Sequence, residues 1–296
     1  MSAKLVRGGV KIKVLSRSFD GPKRRLNYTG LRGVQEEFWI ENDRIDNEES
    51  EISNLLVTTK SYQVTKALKG VLARISNSCK ICVLCNGLGV KEEIEEEMGD
   101  QLDIKNMMFG ATSCGSEKVG DEGVVERGEG ETFIGRWEEV ELSIDDSFQQ
   151  LLSPLNPTFI QNHQELRARL MVKLCVNGVI NPITALTRQT NSIFLDNEEI
   201  RTLAQSTITS EIHPILSKES PLIPTPSQLM ATVMDVAQKT RANQSSMLCD
   251  VLEGRKSEND FILGYLIRKG AEHSISTPTL QTLHTLIQAH DNSITT

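Results

Sequence analysis

Lys173, Asn177 and Asn181 recur at every fourth position in the otherwise apolar segment "VKLCVNGVINPITAL", residues 172–186. On a helix these positions share one side, so the spacing predicts a cation and two carboxamides facing one groove. A lysine on an apolar helix must reach water, a counter-charge or a ligand. Next to a carbonyl, its ammonium stabilises charge growing on oxygen and delivers a proton. Burial makes such a lysine a better acid near neutrality. Asparagines hold hydroxyl and carbonyl oxygens without adding charge. The same row also suits a lysine that snorkels to the surface, with the amides capping or bridging helices. Pro182 is expected to break or kink the helix near Asn181.

Other polar groups fall at the ends of apolar runs. "TTKSYQ" puts Lys60 and Gln63 past one such run, and "CNGLG" puts Asn86 past the next. Polar residues at successive strand ends line the crevice in which a doubly wound sheet binds nucleotides, although Asn-Gly is also a good turn. Arg17 follows "VKIKVLS", with Lys23, Arg24 and Arg25 after it. An acid there would accept the ribose hydroxyl of NAD, whereas a cation suits the extra phosphate of NADP. A solvated basic loop is the plain alternative. "NQSSMLCDVLEGRKSENDFILGY" brings Ser246, Asp250, Arg255 and Glu258 into one stretch. It reads either as a charged amphipathic helix or as a segment placing Ser246 and Glu258 beside Lys173.

The elements that must position these groups divide the chain in two. Strands are expected at "GGVKIKVLS", "ISNLLVTT", "CKICVLC" and "IKNMMFGAT", with helices at "SYQVTKALKGVLARI" and "EEIEEEMG". "GVVERGEGETFIGRW" suggests an antiparallel pair around its glycines. Strand–helix alternation implies a parallel sheet with helices on its faces. The Pro-rich "SPLNPTF" marks a boundary, and long helical runs follow it. The last of these opens with Ser276 or Thr277 as cap and Pro278 in the first turn. The expected organisation is an α/β Rossmann-like domain over residues 1–155 and an all-α domain over residues 156–296.

The 296 residues carry a net charge of -8, with 38% hydrophobic and 24% charged residues. That composition is ordinary for a globular protein, and the negative charge gives no general attraction to nucleic acid or anionic membrane. No run is read as long enough to cross a bilayer, and the first residues lack the apolar core of a secretory signal. Six cysteines in a chain of this size are no disulfide framework. Strand alternation sends Cys79 and Cys85 one way and Cys82 the other, so they are read as core residues and not as metal ligands. The expectation is a reduced, cytoplasmic protein, with a mitochondrial location left open.

Taken together, "KLCVNGVINPITAL", "SSMLCDVLEGRKSENDFILGY", "CNGLG" and "FGATSCGSEKVGDEGVVERGEGETFIG" resemble the ketopantoate reductase (2-dehydropantoate 2-reductase) family along nearly the whole chain. The first two motifs are specific in spacing and flanking residues. The resemblance implies NADPH-dependent reduction of a small 2-oxo acid, ketopantoate, to pantoate for pantothenate synthesis. It implies Lys173 as general acid, and Asn177, Asn181, Asn191 and Ser246 as substrate ligands. Asn86 would touch both substrate and cofactor. Arg17 would take the 2′-phosphate, Lys60 would sit in the crevice, and Glu258 would meet the nicotinamide end. Ser116 occupies a cofactor-side position that is usually small. Monomer and homodimer both stay open.

Cys114 stands where the family often has histidine, a minor change. The larger departure is at the start, where "SAKLVRGG" matches the end of the family's first helix. The strand and G-x-G-x-x-G turn that hold the pyrophosphate find no counterpart, and "RGEGET" lies in the wrong place to substitute. The chain thus resembles a family member entered about fourteen residues late. A shortened gene product and a scaffold without reductase activity are the two explanations. Two further readings stay beside ketopantoate reduction: a related 2-oxo or 3-hydroxy acid reductase, and a non-catalytic binding or scaffold protein.

Overall fold

The computed structural model describes residues 1–16, 21–47, 51–139 and 146–294. They form two compact units. The first comprises Met1–Thr59, Gln63–Cys85 and Glu97–Leu166; the second comprises Lys60–Tyr62, Asn86–Glu96 and Arg167–Thr296.

In chain order the elements begin with α1 (Ser2–Arg7), β1 (Lys13–Ser16), β2 (Lys23–Thr29), β3 (Gln35–Arg44), β4 (Ile52–Val57), α2 (Val64–Val71) and β5 (Ile75–Leu84). Then come α3 (Val90–Met98), β6 (Met107–Thr112), β7 (Gly115–Val119), β8 (Gly123–Gly128), β9 (Thr132–Arg136), α4 (Asp146–Leu152) and β10 (Pro157–Ile160).

The first unit holds two five-stranded sheets, ordered β10-β9-β6-β5-β4 and β1-β3-β2-β8-β7. In the former, β4, β5 and β6 run parallel, β9 is antiparallel to β6, and β10 is parallel to β9. β5 lies between β6 and β4 and reads as an unbroken buried run, Ile81 to Leu84, as a strand covered on both faces should. One core cluster joins Cys82 and Leu84 of β5 to Met108, Ile134, Phe148 and Leu152, with Leu5 of α1 completing it. Cys79 and Cys82 are both buried. Burial pushes Cys79 up to about 11, and Cys82 and Cys175 are raised by the same cause, so these thiols stay protonated and unreactive at neutral pH.

The second sheet departs from expectation. β1, the expected strand of "VKIKVLS", leaves the parallel sheet and pairs with β3. The basic run Lys23–Arg25, read as a loop, lies in β2, antiparallel to β3. Arg25 meets Glu122 at 2.7 Å and Arg24 donates to Asp121 O, so two of these cations serve the sheet. The antiparallel pair expected within "GVVERGEGETFIGRW" does not form. β8 pairs with β7 and β2, whereas β9 crosses to the other sheet beside β6. Both strands flank the same glycines, so nothing local separates a hairpin from a sheet crossing.

The second unit is helical. α5 (His163–Thr187) is followed by α6 (Ile193–Asp196), α7 (Glu198–Thr207), α8 (His213–Glu219), α9 (Pro226–Lys239), α10 (Ser246–Leu252), α11 (Asn259–Glu272) and α12 (Pro278–Ile294). α5 is the one described helix long and apolar enough to cross a membrane, against the expectation that no run was. Its apolar window is 72% buried within the fold, which makes it a core helix. It also runs unbroken through Pro182, contrary to the expected break. Met171, Leu174, Cys175 and Ile180 are buried along it. A Cβ on Gly178 would stand 3.1 Å from Leu266 of α11, so packing clamps the helix just before the proline. Thr184 Oγ1 bonds back to Ile180 O at 2.7 Å. Tertiary packing thus overrides the local penalty.

Candidate active site

Lys173, Asn177 and Asn181 lie on α5, two half-buried and Asn181 buried. Three further segments of the second unit link to the lysine through a chain of hydrogen bonds. Lys173 Nζ donates to Asn86 Oδ1 at 2.9 Å. Asn86 Nδ2 donates to Glu258 Oε2 at 3.1 Å. The carboxamide satisfies a cation on one side and a carboxylate on the other, which fixes its orientation, because only its oxygen accepts and only its nitrogen donates. Glu258, 4% exposed and just ahead of α11, also accepts from the backbone N–H of Ser61 at 3.0 Å.

The loop after Asn86 holds that residue in place. Gly87 has φ +78, and a Cβ there would lie 2.4 Å from Phe261 O. Leu88 N–H donates to the same oxygen at 2.8 Å. Only glycine permits both the left-handed conformation and the close approach to α11.

Lys60 forms the second half of the cluster. Its Nζ donates to Asp250 Oδ2 at 2.6 Å and lies 3.8 Å from Glu258 Oε2. Asp250, 2% exposed on α10, also accepts from Arg255 at 3.1 Å. Burial pulls the Lys60 pKa down, but the Glu258 charge and the Asp250 hydrogen bond outweigh it and hold the ammonium above its ordinary value. Lys60 is therefore a fixed cation at neutral pH and no proton donor there. Asp250 had no role in the sequence reading. A lone acid inside the apolar "SMLCDVL" was the available signal.

The other expected site residues take different places. Ser246 is exposed as the first residue of α10; its neighbour Ser245 caps that helix, accepting from Leu248 N–H at 3.1 Å. Asn191 Nδ2 donates to Thr240 Oγ1 at 2.8 Å, and its backbone N–H to Asn243 O. Its Oδ1 is buried without a hydrogen-bond partner, an acceptor that a polar group would satisfy. Ser116 is exposed on β7 of the first unit, outside this cluster. Gln63 precedes α2 in the first unit. Arg17 lies outside the described residues.

These groups fit the reactive end of a nicotinamide cofactor. A buried carboxylate, a carboxamide and a lysine sit together in the second unit; in sequence Asn86 follows β5 and Lys60 follows β4. Among the described residues no G-x-G-x-x-G turn joins a strand to a helix, so the pyrophosphate end has no such cradle there. No group of three or more metal-ligating side chains gathers among the described residues either.

Fold and site place the chain among oxidoreductases built from a Rossmann-like α/β part and a helical C-terminal part. The ketopantoate reductase PanE/ApbA profile matches residues 1–139, and the ketopantoate reductase PanE/ApbA C-terminal profile matches residues 165–291. The chain belongs to the ketopantoate reductase family. It is 32% identical over 244 residues to the 2-dehydropantoate 2-reductase of Vibrio cholerae serotype O1, covering 81% of this chain and 78% of that protein. It is 25% identical over 274 residues to the same-named protein of Archaeoglobus fulgidus, covering 92% and 86%. In fold it is similar to D-mandelate dehydrogenase solved with NADH and anilino(oxo)acetate, with a TM-score of 0.88, 18% identity and coverage of 99% and 95%. It is also similar to a dimeric ketopantoate reductase from Staphylococcus aureus, with a TM-score of 0.77, 19% identity and coverage of 99% and 94%.

Proposed function

We propose that this chain reduces ketopantoate, a 2-oxo acid, to pantoate with NADPH, and that Lys173 is the general acid. One observation supports this above the others: a neutral carboxamide, itself anchored on buried Glu258, holds the Lys173 ammonium at 2.9 Å. NADPH, when bound, supplies the hydride that adds to C2 of the keto acid. As that bond forms, the C2 oxygen gains charge, and Lys173 Nζ stabilises it and gives up one proton to make the hydroxyl. Asn177 and Asn181, one and two helical turns along α5, bind the substrate's oxygens; Asn191 and Ser246 are assigned to the same task. Lys60, Asn86 and Glu258 hold the nicotinamide end, Asn86 touching the substrate as well, and Ser116 and Arg17 the remainder of the cofactor.

In this reading residues 1–155 carry the cofactor and residues 156–296 the substrate, the reaction runs in the cytoplasm, and no metal, nucleic acid or membrane takes part. A second reading, another branched 2-oxo or 3-hydroxy acid as substrate, follows from motifs that define the reacting atoms better than the side chain. A third is a binding or scaffold protein without reductase activity.

NADPH titration by fluorescence, followed by NADPH oxidation with ketopantoate and with other 2-oxo acids, separates the three. Ketopantoate turnover above the others supports the first reading. Preference for another acid supports the second, and no NADPH binding supports the third.

A further inference from the structure

We infer that Asp291, on α12, is a positioning residue for Glu258, and through it for Asn86 and Lys173. This rests on the reading of Lys173 as the proton donor and adds to it a residue from a separate helix. Glu258 is the N-cap residue of α11, yet its side chain does not cap that helix. Its two oxygens instead accept from Ser61 N–H and Asn86 Nδ2. The backbone that carries Glu258 is therefore held by other groups, and α12 supplies them.

Both carboxylate oxygens of Asp291 meet Ser257. Oδ1 accepts from the Ser257 backbone N–H at 3.1 Å, and Oδ2 accepts from the Ser257 hydroxyl at 2.7 Å. With its proton committed to Asp291, the Ser257 oxygen accepts from Asn259 N–H at 3.3 Å. The residue before Glu258 and the residue after it are thus tied to one carboxylate. Asn259 Nδ2 also donates to His284 O of α12 at 3.0 Å. Ser257, Glu258, Asn259 and Asp291 are all buried. Hydrogen bonds to a buried carboxylate are directional and strong, and losing the carboxylate leaves buried donors unmet. Neighbouring residues thus divide the work: Ser257 and Asn259 grip α12, and Glu258 reaches Asn86. A displacement of Glu258 by ~1 Å away from Asn86 takes their 3.1 Å bond out of hydrogen-bond range and frees the amide that orients Lys173.

The same two helices also meet at a partly exposed pair, where His284 Nε2 lies 3.0 Å from Asp260 Oδ1. That pair separates docking of α12 from positioning of Glu258.

The test compares Asp291→Ala with His284→Ala in the full chain. Asp291→Ala should lower kcat for ketopantoate reduction about tenfold with KM changed less than about threefold, whereas His284→Ala should lower the melting temperature and leave kcat within about twofold. In a Glu258→Gln background, Asp291→Ala should lower the melting temperature again but cost no further kcat, since the two residues act through one path. Amide hydrogen exchange at Ser61, the donor to Glu258, should quicken about tenfold or more in Asp291→Ala and keep its parent rate in His284→Ala. That readout needs no turnover: if the parent chain does not reduce ketopantoate, the general-acid reading falls while Ser61 exchange still decides this one. Should Asp291→Ala fail to fold, Asp291→Asn takes its place, keeping an acceptor for Ser257 N–H but none for the hydroxyl, with the same pattern expected at smaller size. Unchanged Ser61 exchange in the Asp291 variant, equal kcat losses in the two single variants, or a further kcat loss in the Glu258→Gln background overturns the proposal.

Discussion

At the scale of single residues, the cluster around Lys173 works through one neutral amide and two buried carboxylates. Asn86 keeps the ammonium oriented without neutralising it, so Asn86→Ala should lower kcat about tenfold or more with a smaller change in KM; steady-state kinetics reads the split. Lys60 gives a pH prediction. Its folded pKa is raised above the ordinary lysine value, so its stabilising contribution is fully present below about pH 10.4 and is lost as pH climbs through the folded pKa. Melting temperature should therefore not respond to this group between pH 6 and 9 and should fall above about pH 10. Lys60→Met should remove that alkaline fall and cost about 1–2 kcal/mol at neutral pH, less than for a fully buried pair because Lys60 is partly exposed. Melting curves from pH 7 to 11 check both parts. The helical period made Lys173, Asn177 and Asn181 legible as one row, because i, i+4, i+8 spacing is local. The pairing of Lys60 with Asp250 was not, because 190 residues separate the partners.

At the scale of elements, the site depends on loops and helix ends that packing holds. Gly87→Ala forces a side chain into Phe261 O and an unfavourable φ, so the Asn86 loop must move. The expected outcome is at least tenfold lower turnover with the helical content by circular dichroism unchanged. α12 shows how a sequence signal can be right in place and wrong in mechanism. The helix does begin at Pro278, but the N–H groups of Thr279 and Leu280 are met by Glu211, buried in the π-helical turn Ile208–Ile212, at 2.9 and 3.0 Å. Glu211→Ala should cost about 1–3 kcal/mol in chemical denaturation, as one buried and one part-buried donor lose their acceptor. Thr277→Ala should cost less. Composition could not reveal this, since a residue 68 positions away supplies the cap. Pro182 is the converse case: a strong local breaker inside a helix whose flanks are held by packing.

At the scale of the whole molecule, the presence of a sheet-rich part and a helical part was readable from the change of period along the chain, although "SPLNPTF", read as the boundary, runs into β10 of the first unit. The allocation of strands to two sheets was not. β2 is rich in Lys, Arg and Asn and has weak intrinsic strand preference; its place comes from seven register partners in β3. β8 and β9 were separable only by partners elsewhere in the chain. The family motifs, by contrast, brought Asn86, Lys173 and Glu258 into one list before any coordinates, and these three form one hydrogen-bonded chain.

The most direct test is ketopantoate reduction by the parent chain and by Lys173→Ala, with NADPH affinity measured on both. The parent should oxidise NADPH in step with ketopantoate, and the variant should lose about 10²–10⁴-fold in kcat with NADPH affinity and melting temperature nearly unchanged. A variant that turns over within a few fold of the parent would show that the ammonium on α5 does not deliver the proton.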